Sequence, residues 1–174
     1  EQAKYHVGFY NSFLRLRFAS SFYAITETVR RRKDKVTATL QHLGAHGEIP
    51  DTPPAPDLQS QVYDPEEEEG RAAEEAVLKN RTPADLSWEV GKLEELLIAL
   101  ESLRGPSTKM VELLRTLDSR RNAATGRIEQ TVIFTRFYDT LTEIVRRLRS
   151  RDPDMLIGTY SGQGGQYTSP ATMQ

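Results

Sequence analysis

The sequence predicts a mainly α-helical protein with a small α/β part, a helical region followed by a β-α-β unit with parallel strands. Three observations carry this. Thr131-Val132-Ile133-Phe134 is a short, nearly continuous apolar run of β-branched and aromatic residues, the pattern of a strand buried on both faces. Phe137, Leu141, Ile144, Val145 and Leu148 then recur at helical spacing until Asp152-Pro153 stops the helix. A second apolar run, Met155 to Tyr160, comes after it, and a right-handed crossover is the expected connection. Upstream of this unit lies a region of about 105 residues in which apolar stripes of helical period flank a proline-rich, acidic segment.

In chain order, Tyr5 to Phe18 mixes aromatics with Arg15 and Arg17 and reads as a helix. Ser20-Ser21 is a helix start, because a serine hydroxyl can accept an orphan amide hydrogen bond. Phe22, Ile25, Val29, Val36, Leu40 and Leu43 form the stripe of the next helix, ending at Gly44. Arg30-Arg31-Arg32-Lys33 interrupts that stripe, as a solvated helix face or as a patch that meets phosphates. Residues 45–70 hold five prolines and the run Glu66 to Glu69. Such a composition cannot bury enough apolar surface to offset its ordering entropy, so it reads as a disordered linker. A helix is expected from Glu66 to Lys79. Thr82-Pro83-Ala84-Asp85 then supplies a cap, a proline at the first helical position and an acid in the first turn. Leu86, Val90, Leu93, Leu97 and Leu100 form its stripe, and Gly105-Pro106 closes it. Met110, Leu113, Leu114 and Leu117 mark a short helix after Ser107, and Asp118 to Gly126 is a polar connection. The expected divisions are 1–44, 45–70, 71–127 and 128–174.

Charge is unevenly distributed. Residues 1–47 carry eight Lys/Arg against three Asp/Glu, residues 48–70 none against eight, and 105–174 ten against seven. Basic ends around an acidic spacer point to an anionic partner for the ends. The chain has no cysteine, which excludes disulfides and thiolate chemistry and points to an intracellular, cytoplasmic protein. No apolar run approaches the roughly 20 residues of a membrane span. No phosphate-cradling G-x-x-x-x-G-K-[ST] occurs, and the glycines from Gly158 onward come after the second strand, the wrong place for a dinucleotide fingerprint. His42 and His46 stand at helical spacing without a third ligand, so no metal site is expected. There remains the corner after each strand. Thr135-Arg136 and Tyr160-Ser161-Gly162 would fall on the carboxyl edge of the sheet, with hydroxyls, a guanidinium and glycine-freed amides able to hold phosphate oxygens or simply to cap the next helix.

Val132-Ile133-Phe134-Thr135-Arg136-Phe137 with Asp139-Thr140-Leu141 resembles the motif that opens the second RecA-like lobe of bacterial Swi/Snf-type superfamily-two helicase-like ATPases. Lys109 to Leu114 is similar to the helix leading into that lobe, and Ile157 to Gly165 to its next strand and glycine-containing turn. Leu14 to Ser21, with Ala24 and Thr28 to Arg32, is similar to the family's inter-lobe helices. The resemblance implies an ATP-driven translocase on double-stranded DNA, of which this chain is a fragment: inter-lobe helices plus the start of an incomplete, truncated RecA-like lobe. It implies DNA-backbone contact for Phe134, Thr135, Arg136, Tyr160, Ser161 and Gly162, while the candidate basic patch Arg30, Arg31, Arg32 and Lys33 rests on its charge alone. The family's nucleotide-cradling lysine, acidic box and arginine finger have no counterparts here. The fragment is therefore expected to bind no cofactor and to have no catalytic residue of its own, while ATP and Mg belong to the parent protein. Its expected partners are duplex DNA, met through phosphates, and the missing lobes of the same polypeptide. The competing expectation is a helical interaction scaffold docking a partner protein through the Leu86–Leu100 stripe.

Overall fold

The computed structural model describes residues 2–46, 81–103, 105–162 and 164–168. They form α1 (Gln2–Ser20), α2 (Phe22–His46), α3 (Pro83–Glu101), α4 (Thr108–Ser119), α5 (Tyr138–Arg151), β1 (Ile157–Ser161) and β2 (Gly164–Thr168). The expected linker at 45–70 begins within the last turn of α2, and the remainder lies outside the described residues, as does the helix expected over 66–79.

The helices start and stop for the reasons written in their caps. Ser21 separates α1 from α2, and its Oγ accepts the amide of Ala24 at 3.0 Å. Thr82 and Asp85 form a reciprocal capping box at the head of α3: the Thr82 Oγ1 accepts the Asp85 amide and the Asp85 carboxylate accepts the Thr82 amide. Ser107 accepts the Met110 amide at the start of α4. The last turn of α5 holds Arg149 and Arg151 against its carbonyl end, and the chain leaves at Asp152 just before Pro153.

Two apolar seams hold these elements together. Ile25, Val29 and Val36 of α2 pack against Leu86 and Leu100 of α3, with Leu93 and Leu97 half-buried beside them. Met110 and Leu117 of α4 pack against Ile144 and Leu148 of α5, and Ile128, Ile133, Met155 and Ile157 close over that second seam. Burying a side chain of this size contributes about 1.5–3 kcal/mol, so the two seams supply most of what fixes the helices.

The sheet differs from expectation. β1 pairs with β2 in an antiparallel hairpin, Ile157 opposite Thr168 and Ser161 opposite Gly164. Gly164 takes φ +96°, which a side chain would strain. Thr131 to Phe134, expected as the first parallel strand, form no strand pairing, and neither does Thr135 at the expected corner. The parallel pair of the expected RecA-like unit is therefore absent among the described residues. The physical reason is twofold. A strand buried on both faces needs cover on both, and here Ile133 packs on α5 while Val132 and Phe134 point away and stay exposed. The hairpin meanwhile gives β1 a partner across a tight turn, at far smaller loop-closure cost than a crossover. The connection over 118–128 is better ordered than a polar loop suggests: Arg121 and Ile128 form an antiparallel bridge around a turn where Gly126 has φ +68°. Asn122 Oδ1 accepts the amides of Ala124 and Thr125 inside it.

Candidate nucleic-acid interface

Residues 131–135 bring the Thr135-Arg136 corner to the point where the chain turns into α5. There it meets the α1–α2 junction and the head of α4. Ser20, Ser21, Ser107, Lys109, Thr135, Arg136 and Thr140 line a cleft of about 300 Å³, floored by Met110, Leu113 and Ile144. Three of its hydroxyls are joined: Ser20 Oγ lies 2.8 Å from Thr140 Oγ1, which donates on to Ser21 Oγ at 3.3 Å. Lys109 reaches across from α4 and donates to the Ala19 carbonyl at 2.6 Å, placing an ammonium at the mouth. The Arg136 guanidinium lies 5.8 Å from the Phe137 ring centre. Three helices begin at this cleft: α2 and α4, capped by serines, and α5, whose Phe137 cap position has no side-chain hydrogen bond.

Behind the cleft sits a buried charge. Arg17 of α1 is 1% exposed, its guanidinium carbon 5.0 Å from the Phe13 ring centre and 4.7 Å from that of Phe137. Its Nη1 donates to Asp139 Oδ2 at 2.5 Å, and Arg31 of α2 donates to the two oxygens of the same carboxylate at 3.3 and 2.7 Å. Next to it, the Tyr23 hydroxyl is held above the usual tyrosine range, first by burial and then by the carboxylates of Glu27 and Asp139; the Arg146 and Arg30 cations act against that rise.

A second, larger cleft of about 1180 Å³ opens between residues 126–135, the inner face of α5 and β1. Thr135, Phe134 and Tyr160 share its rim, and the two aromatics are 93% and 86% exposed. Ser161 and Gly162 stand at the hairpin turn, outside both clefts, so the expected single rim is divided between the Thr135-Arg136 corner, which follows no strand, and a hairpin end.

No family model, curated protein or solved structure matches this chain.

The basic run on α2 is committed to partners within the chain. Arg30 pairs with Glu27, Arg31 with Asp139, Arg32 with Glu89 at 2.8 Å and Lys33 with Glu94 at 3.0 Å. Arg32 is buried and ties α2 to α3; the other three keep solvent access. The Leu86–Leu100 stripe is likewise used inside, against α2, while Trp88 and Ile98 occupy the exposed side of α3. Among the described residues no group of three or more His, Asp or Glu side chains is placed to hold a metal, and no helix is long and apolar enough to cross a membrane.

Sequence reasoning assigns Ser20-Ser21 only the role of a cap and assigns Ser107, Lys109 and Asp139 no part in a site. The available signal is chemical: Ser21 and Ser107 stand at two helix starts, where hydroxyls and first-turn amides face outward together, and Ser20 precedes the first of them.

Proposed function

We propose that the chain is the inter-lobe helical region and opening segment of the second lobe of a bacterial Swi/Snf-type, ATP-dependent DNA translocase, and that it contacts duplex DNA through phosphates. One observation carries the reading beyond the motif resemblance. The Thr135-Arg136 corner comes together with Ser20, Ser21, Ser107 and Lys109 from three separate segments in a single cleft. Hydroxyls, an ammonium and a guanidinium beside the positive ends of three helices are suited to phosphate oxygens and carry no base-reading pattern. The nucleotide chemistry of such a machine would belong to residues outside this chain, with ATP and Mg held by the parent protein. This segment would grip a strand and hold the lobes in register.

The test is fluorescence anisotropy of the full chain with labelled duplexes of unrelated sequence, over a series of salt concentrations. The expected result is weak binding, equal among sequences, that falls linearly on a log–log plot of affinity against salt. Affinity that ignores salt, or that depends strongly on base sequence, rejects the reading.

A further inference from the structure

Resting on that reading, we infer that Asp139 is a positioning residue: its carboxylate, gripped by Arg17 and Arg31, is the clamp that holds the phosphate-contacting corner against the inter-lobe helices. Asp139 lies in the first turn of α5, three residues after Arg136 and one before Thr140. Whatever fixes that turn fixes the corner and the Thr140 hydroxyl, which meets Ser20 and Ser21. The two arginines come from different helices. Arg17 is locked, buried between the rings of Phe13 and Phe137 and bonded to Oδ2. Arg31 reaches the same carboxylate from the solvent side and is 45% exposed.

This arrangement exceeds what packing alone requires. Phe137 is already buried and already meets Phe13 edge-on, with ring centres 6.4 Å apart. Apolar contact of that kind tolerates sliding, because dispersion is non-directional. A carboxylate shared by two guanidiniums does not: charge-assisted hydrogen bonds fix direction as well as distance. The clamp therefore sets the angle at which α5 leaves α1 and α2, and with it the spacing between Arg136 and Lys109 across the cleft. It touches no ligand itself.

The absence of cysteine allows a direct test in the full chain. Spin labels on Asn11→Cys in α1 and Thr142→Cys in α5, both exposed positions, report the inter-helix distance by pulsed EPR. Into this pair are placed Asp139→Asn, Asp139→Glu and Arg31→Gln, with helicity followed by circular dichroism and duplex binding by anisotropy. Asp139→Asn is expected to keep its helicity, broaden the distance distribution and weaken duplex binding about tenfold, the value of one charge-assisted bond. Asp139→Glu should recover part of both. An unchanged distribution in folded Asp139→Asn, or a broadened one with unchanged affinity, overturns the inference. If Asp139→Asn does not fold, Arg31→Gln decides, since it removes only the exposed cation: broadening supports the clamp and an unchanged distribution rejects it. If the labelled parent binds no DNA, the proposed function fails, while the distance distributions still decide whether the clamp exists.

Discussion

Arg17 and Asp139 are 122 positions apart in sequence and 2.5 Å apart in the fold, joining α1 to α5. The guanidinium is nearly without solvent and the carboxylate 13% exposed. A pair this buried is held at a desolvation cost that its mutual attraction and neighbouring hydrogen bonds roughly offset. Its value lies in where it places α5.

That balance leads to an asymmetric stability prediction. Asp139→Ala takes a carboxylate partner from the buried Arg17 guanidinium and should cost about 3–5 kcal/mol. Replacing both partners together, as Arg17→Met with Asp139→Leu, should cost much less, because an apolar pair needs no compensation. Urea denaturation of the single and double variants measures the difference. A double variant as unstable as the single one would show that the shape of the pocket, and not the uncompensated charge, dominates.

At the cleft, Arg136→Ala should weaken duplex binding by a similar factor for every sequence tested. It should also reduce the slope of log affinity against log salt by about 0.9, the contribution of one neutralised phosphate on B-DNA. Anisotropy titrations at several salt concentrations give both numbers. An unchanged slope would place Arg136 away from the backbone.

The helical part of this molecule is legible in the sequence because its signals are local. Thr82, Pro83 and Asp85 state where α3 begins, and the Leu86–Leu100 period states which face it buries. Asp152-Pro153 states where α5 stops. The strands are legible only in part. Ile157 to Tyr160 is β-structure as expected, but its partner is Gly164–Thr168, a glycine-rich stretch of weak strand propensity chosen by a short turn. Val132 and Phe134 have the residue types of a buried strand, yet burial depends on what covers them, and their own composition does not contain that information. The cleft is the least legible feature. Ser20, Ser107 and Thr135 are separated by long stretches of chain, and only the contact of α5 with α2 and the reach of Lys109 to the Ala19 carbonyl bring them around one cleft.

The α2–α3 seam gives a packing prediction. Leu86 is fully buried against Val36, whereas Ile98 on the same helix is 68% exposed. Leu86→Ala should cost about 2–5 kcal/mol through lost transfer energy and the cavity left behind. Ile98→Ala should change stability by no more than about 0.5 kcal/mol. Paired urea melts check this, and equal effects would mean that α3 presents a different face to α2.

The alkaline limb of the stability curve offers a test at the α2–α5 contact. Tyr23 holds its proton more tightly in the fold than in the unfolded chain, because burial and the carboxylates of Glu27 and Asp139 disfavour the phenolate. The Arg146 guanidinium, 5.3 Å from the Tyr23 ring centre, opposes this without reversing it. A group whose folded pKa is raised contributes stability that is complete below its unfolded value, about 10 for tyrosine, and lost as the pH climbs through the folded value. Wild-type protein should therefore lose stability more steeply above that point than Tyr23→Phe, which has no proton to release. Lysines titrate in the same range in both proteins, so their contribution cancels in the comparison. Urea melts of the two proteins from neutral to strongly alkaline pH supply the curves. Parallel slopes throughout would mean that the Tyr23 hydroxyl meets water in the fold as freely as in the unfolded chain.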